Sequence, residues 1–380
     1  MCGIIAVLSR PETRPVPVAQ DLLAQLDSLL ADWALASEAL PSDDQLHTMA
    51  TAAAGVDATL RGDAGMWLMA GNREFIAALT NRLDQLDAHL ARSDQQLEHR
   101  IEHADASVSA AALERTTNLL TAVRDATWSL RKDRIRTALA VDGLAGVGAS
   151  RSALAAYLSI QQVLSAIDRL EVRGRDSAGV HVMVWSHGLT IDDARVAGLL
   201  GSRHDDSLFT SRSVRVTRNA WSFVYKAAAE IGELGDNTRV MRTAIVDDDL
   251  LRLLVSQPDA RVGVLGHTRW ASVGIISELN GDVDNHADLR ARHELRLAQP
   301  ITTDAKVIPA LVSRNLAKGA TLPEAFRETV ASFDGSVAIA AASAEQPEML
   351  LLALKGSGQG LCVGLADNRF IVASEPYGVV

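Results

Sequence analysis

The 380-residue chain is 48% hydrophobic and 22% charged, enough to bury a large core and to build two or three compact units. Its formal net charge of −10 argues against nucleic acid as a main partner, because phosphate binding calls for clustered Lys and Arg, and no segment approaches about 18 uninterrupted apolar residues, so no membrane span is expected. Only two cysteines, Cys2 and Cys362, leave no disulfide framework, which fits a reducing cytoplasm.

The chain opens Met1-Cys2-Gly3-Ile4-Ile5-Ala6-Val7-Leu8. Removal of Met1 leaves Cys2 with a thiol and a free α-amine on one carbon. That amine titrates at about 7.7–8.0, so near neutral pH it can take the thiol's proton, and the pair can serve as nucleophile and base. The apolar run from Ile4 to Leu8 predicts a buried strand. Taken alone, a second-position cysteine is equally an accident of a frayed terminus. Lipidation is a poor rival, since no basic segment and apolar run precede Cys2 and Gly3 stands one place too late for myristoylation.

Three prolines in Arg10–Pro17 exclude helix and read as a stiff connector. From Ala19 to about Leu170 the periodicity is helical. Leu22, Leu26, Leu29 and Trp33 mark one apolar face. Ile76, Leu79, Leu83, Leu86, Leu90 and Leu97 follow three- and four-residue steps with a gap at Ser93, a short heptad seam continued by Leu113, Leu120, Val123 and Leu130. The spacing predicts two long antiparallel helices, coiled-coil-like, with shorter helices at their base. This arm reads either as scaffold or as a docking surface for a partner. His99 and His103 are four apart, but no zinc motif surrounds them.

Beyond Asp168 come the Gly-punctuated turn Arg173-Gly174-Arg175-Asp176-Ser177-Ala178-Gly179 and the predicted strand Val180–Trp185. Asp247-Asp248-Asp249 reads as a solvated helix start rather than a metal site. A strand, Val262–Leu265, leads into His267-Thr268-Arg269-Trp270-Ala271-Ser272, and a helix is expected near Asp304–Lys318. Strands follow at Ser336–Ala342, Met349–Leu354, Leu361–Leu365 and Phe370–Ala373, with Cys362 expected to be a buried core thiol. Adjacent apolar strands with few crossovers suggest stacked antiparallel sheets covered by helices.

Four pieces in order, Cys2-Gly3-Ile4, Arg173–Gly179, His267–Ala271 and Thr303-Asp304 before a helix, together resemble the class II glutamine amidotransferase domain of the N-terminal-nucleophile hydrolase type. The nearest branch is the glutamine:fructose-6-phosphate amidotransferases. The resemblance covers residues 1–10 and 165–380. It implies an α+β fold, an αββα sandwich, in which residues 1–18 are first strand and linker, 19–153 an inserted helical arm and 154–380 the remainder of the domain. It also implies that Cys2 attacks the glutamine side-chain carbonyl, forming a glutamyl thioester and releasing ammonia for an acceptor, most plausibly a sugar phosphate in another domain or subunit. By motif position Arg269 would hold the α-carboxylate and Asp304 the α-ammonium, Trp270 and Ser272 would line the pocket, and Asn280-Gly281 would face the oxyanion. Arg173 and Asp176 would support the nucleophile. No cofactor or metal is implied, and a homo-oligomer is expected. A zwitterionic amino acid needs one cation and one anion held close together, which Arg269 and Asp304 supply; the rivals are a surface ion pair for Arg269 and a helix N-cap for Asp304.

The chain departs from this pattern. Val273 stands where the family has histidine, and Lys306 where it has an acid. The interval from Trp270 to Asn280 is short, which raises the expectation of a segment absent between about Ser277 and Leu279, and the resemblance implies more chain after Val380. About 140 residues from Pro17 onward are extra. The competing function is a non-catalytic scaffold that works through the helical arm.

Overall fold

The computed structural model describes residues 3–35, 40–102, 109–173, 176–206, 209–228, 233–268, 275–297 and 303–379. Two compact units emerge, Met1–Pro11 with Ala149–Val380, and Glu12–Gly148. These boundaries lie a few residues before the divisions at residues 18 and 153 that the resemblance implies. At the first of them Glu12 is the reason: its carboxylate accepts the N–H groups of Arg14 and Ala64, which ties the proline connector to the helical unit.

Within Glu12–Gly148 lie α1 (Ala19–Leu35), α2 (Asp43–Thr59), α3 (Gly62–Met69), α4 (Arg73–Glu102), α5 (Ala110–Ser129) and α6 (Arg136–Ala145), with a π-helical stretch, Leu130–Ile135, between the last two. All six leucine and isoleucine positions of the predicted seam in α4 are buried. The gap at Ser93 is buried too, and its hydroxyl accepts the indole N–H of buried Trp33 at 3.3 Å, so a polar residue belongs in the seam because an indole donor faces it. The expected helix pair is only half of this assembly. Helix α1 packs on α4, α4 on α5, α5 on α2 and α2 on α1, because Leu46, Met49, Ala53 and Val56 give α2 a buried face of its own.

Among the described residues the other unit carries ten strands: β1 (Ile4–Ser9), β2 (Ala178–Trp185), β3 (Val214–Val216), β4 (Ala220–Ala227), β5 (Arg261–His267), β6 (Ile275–Val283), β7 (Gly335–Ser343), β8 (Gln346–Lys355), β9 (Cys362–Ala366) and β10 (Arg369–Ala373). Seven form one antiparallel sheet in the order β3-β4-β2-β5-β1-β10-β9, and β6-β7-β8 form a second. β1 lies between β5 and β10 with Ile4 to Val7 buried, which explains its unbroken apolar run.

Helices α7 (Arg151–Leu170), α8 (Ala194–Leu200), α9 (Asp236–Val246), α10 (Asp249–Val255), α11 (His286–Arg292), α12 (Val307–Ala317) and α13 (Leu322–Ala331) complete the unit. α7 packs on β1, β2 and β5, and close approach there requires a glycine: a Cβ on Gly266 would come within 3 Å of Val163, Ile167 and Ile5. α12 and α13 share a core with Leu279, Val283, Ile339 and Leu351 of the second sheet. Between the sheets lie Ala6, Met183, Leu265, Ile276, Ala342 and Val372. The result is an α+β sandwich layered helix, sheet, sheet, helix.

Two expectations are corrected. Asp248 does cap a helix, accepting the N–H of Leu251, but it is fully buried and not solvated, because Arg203 and the Tyr225 hydroxyl also bind its carboxylate. Cys362 is half-buried instead of a core thiol, since β9 is the edge strand of its sheet and leaves Val363 and Leu365 exposed.

Ser93→Ala is expected to destabilise the protein by about 1–2 kcal/mol, the cost of leaving the buried Trp33 N–H without its acceptor, read as a lower urea midpoint at unchanged m-value.

Candidate active site

The start of β1 is gripped from both sides. The Gly3 N–H donates to Thr268 Oγ1 at 2.7 Å while the Thr268 N–H donates to the Gly3 carbonyl at 3.0 Å. On the other flank the Ile4 N–H donates to Ser374 Oγ at 3.1 Å, and the Ser374 N–H returns a bond to the Ile4 carbonyl at 3.0 Å. A Cβ on Gly3 would stand 2.6 Å from Leu170 Cβ, so only glycine lets α7 lie this close to the strand end. Cys2, Arg269, Trp270, Ser272 and Val273 lie outside the described residues, as does the Arg173 side chain. Cys2 and Arg269 are each one peptide bond from the Gly3–Thr268 pair.

Asn280 and Gly281 sit in β6. Asn280 is buried, and its Oδ1 has no hydrogen-bond partner among the described residues. Gly281 has φ +92°, and a Cβ there would collide with the Ser336 carbonyl oxygen at 1.9 Å. β6 pairs residue for residue with β7 from Ile275↔Ser343 to Val283↔Gly335, so the segment expected to be absent between Ser277 and Leu279 finds no break in the strand. Asp304 is half-buried at the start of a helical turn; its Oδ2 accepts the Val283 N–H and its Oδ1 the Ala305 N–H, both at 2.9 Å, which ties it to the end of β6. Asp176 is exposed before β2.

The space between the sheets is apolar towards Trp185 and polar towards the start of β1. Alternation along the strands turns His181, Lys226 and His267 on one sheet, and Glu278 and Asn280 on the other, into this layer. His267 Nδ1 stands 3.8 Å from Glu278 Oε2. Burial pushes the Glu278 carboxyl well above the usual carboxylate range, against the pull of Lys226 and Lys306. Burial, with Lys306 nearby, brings the Lys226 ammonium down to about 8, and burial lowers Lys306 as well. His181 is fully buried, neither ring nitrogen has a hydrogen-bond partner among the described residues, and burial together with the two lysines lowers it to about 3.

Sequence reasoning missed Glu278, His181, His267 and Lys226 as a group, and noted Lys306 only as a departure. The signal was the alternation Ile276, Glu278, Asn280, which places a glutamate on the face between the sheets. Among the described residues no group of three His, Cys, Asp or Glu side chains is placed to hold a metal ion.

Two outcomes follow for stability. The unfolded His181 ring takes a proton near pH 6.5 whereas the folded ring waits until about 3, so in that window the unfolded chain binds more protons and the native state is penalised as pH falls. His181→Leu should therefore gain on the parental protein by about 1 kcal/mol per pH unit as pH falls from 6.5 to 5, measured by urea unfolding at each pH. Gly281→Ala should cost more than about 1 kcal/mol at any pH, because both its backbone angle and the Ser336 carbonyl oppose a side chain.

No family model matches the chain. Curated relatives do. Over 234 residues it is 27% identical to the glutamine--fructose-6-phosphate aminotransferase [isomerizing] of Bacillus thuringiensis subsp. konkukian, covering 57% of this chain and 30% of the relative. Over 148 residues it is 34% identical to the enzyme of that name from Geobacillus kaustophilus, covering 35% of this chain and 24% of the relative. The chain thus spans less than a third of the length of these relatives. Among solved structures, a glutamine phosphoribosylpyrophosphate amidotransferase from B. subtilis, complexed with ADP and GMP, overlays with a TM-score of 0.37 at 15% identity, over 58% of this chain and 40% of that one. The shared sequence falls on a chain whose Gly3-Ile4 segment leads into the middle of a two-sheet sandwich, and it supports a class II glutamine amidotransferase domain.

Proposed function

We propose that the chain is the glutaminase part of a glutamine amidotransferase, with Cys2 as nucleophile. The observation that carries this reading is the reciprocal Gly3–Thr268 hydrogen bonding, because it anchors together the two residues that adjoin Cys2 and Arg269. The α-amine of Cys2 takes the thiol proton and the sulfur attacks the glutamine amide carbon. The Asn280 side chain and the Gly281 N–H meet the oxyanion. Collapse breaks the C–N bond, ammonia leaves with the transferred proton, and water cleaves the resulting thioester to free glutamate and the thiol.

Asp304 suits the α-ammonium because each of its oxygens accepts one backbone N–H and keeps a lone pair for a further donor. Arg269 holds the α-carboxylate in the planar two-point manner that Lys cannot match. Trp270 and Ser272 line the pocket, and Arg173 and Asp176 support the strand end. The acceptor of the ammonia is a sugar phosphate, fructose 6-phosphate by analogy with the relatives' name, bound by another domain or subunit of a cytoplasmic homo-oligomer. No helix among the described residues is long and apolar enough to cross a membrane.

Purified protein lacking Met1 is expected to release glutamate from glutamine, and Cys2→Ala to abolish the release; equal turnover by that variant would overturn the assignment. A glutamine-like diazoketone should add mass to the N-terminal peptide alone. Asn280→Ala should lower kcat about 10²–10³-fold, the usual effect of removing one oxyanion donor.

A further inference from the structure

We propose that Glu278, acting through His267, is a positioning residue: it fixes the strand carrying Asn280 and Gly281 against the strand end that grips Gly3. The inference rests on the glutaminase reading above. β5 ends at His267, which pairs with Ile4 on one side and Gly179 on the other, and the next residue, Thr268, binds Gly3. Glu278 lies in β6 two residues before Asn280 and on the same face. The carboxyl and imidazole groups therefore face each other across the sheets, between the strand end that grips Gly3 and the strand that carries Asn280 and Gly281. Their 3.8 Å separation closes to hydrogen-bond distance with a small side-chain rotation.

The setting makes a passive role costly. Glu278 is 1% exposed, shares its face with Ile276, and faces a layer that holds Ala6 and Leu265 a few residues away, where an apolar side chain would be cheaper. Its Oε1 has no hydrogen-bond partner among the described residues. His181 on β2, His267 on β5, Lys226 on β4 and Lys306 ahead of α12 surround it, and Asp206 acts on Lys226 in turn. Burial outweighs the two lysines and pushes the carboxyl well above the usual carboxylate range; in its protonated form its O–H donates towards His267 without placing a second negative charge next to the developing oxyanion. An uncharged amide of the same shape can make that link; a leucine cannot.

The test compares steady-state glutamine hydrolysis by the full chain with that of Glu278→Leu and Glu278→Gln, with thermal unfolding recorded for each. A strand end displaced by about an ångström costs on the order of 10²-fold in rate. The expected result is a 10- to 100-fold lower kcat for Glu278→Leu with KM for glutamine within threefold and an unfolding midpoint no lower than the parental one, and recovery of most of that loss in Glu278→Gln. Full kcat in Glu278→Leu would overturn the proposal and leave the glutaminase reading standing. So would a loss in Glu278→Gln as large as in Glu278→Leu, since the role then needs the charged carboxylate, and so would a loss in Glu278→Leu matched by a collapsed unfolding midpoint. A parental protein that does not hydrolyse glutamine would overturn both.

Discussion

The sandwich depends on how its first strand is held. β1 carries the N-terminal residues into the middle of the larger sheet, and its hydrogen bonds reach partners about 260 and 370 residues away in sequence, through Thr268 and Ser374. A chain terminus is ordinarily the loosest part of a fold. Here the backbone groups of Gly3 and Ile4 are satisfied on both edges, Gly3 is pressed against α7, and the apolar side chains behind it are buried on both faces. The strand end at Gly3 is therefore a fixed point of the fold.

Around that fixed point the interior changes character. Towards Trp185 the two sheets meet through alanine, leucine, valine and methionine; towards β1's beginning they meet through His181, His267, Glu278 and Asn280. Burying such groups is expensive, and proteins that do so usually have chemistry to perform there. The two lysines whose ammonium groups are weakened by burial, Lys226 and Lys306, sit beside the same acid. Lys306 occupies the place where the resemblance anticipates a carboxylate, and Glu278 brings a carboxyl group to the same layer from β6.

Much of this could be read from residue order alone. The unbroken apolar run Ile4–Leu8, the heptad steps of α4 and the turn chemistry before β2 each correspond to an element of the fold, because local periodicity and burial agree there. The serine in the heptad was visible only as a gap, since its reason is an indole on α1, 60 residues earlier in the chain. The fourfold packing of α1, α2, α4 and α5 was likewise hidden: α2 is rich in alanine, and its weak amphipathicity does not advertise the face that α5 covers. The polar layer escaped notice for a different reason. A glutamate two positions before an asparagine carries no meaning until strand register shows that both point between the sheets, and the register of β6 is fixed by β7, more than fifty residues later.

The insertion of residues 12–148 after β1 has a consequence for biosynthesis. The helical unit is local in sequence and can fold as soon as it leaves the ribosome, whereas β1 must wait for β5 at Arg261 and β10 at Arg369 before either of its edges is filled. For most of translation, then, β1 waits as an unpaired apolar strand, and only the arrival of the last strands fills both of its edges.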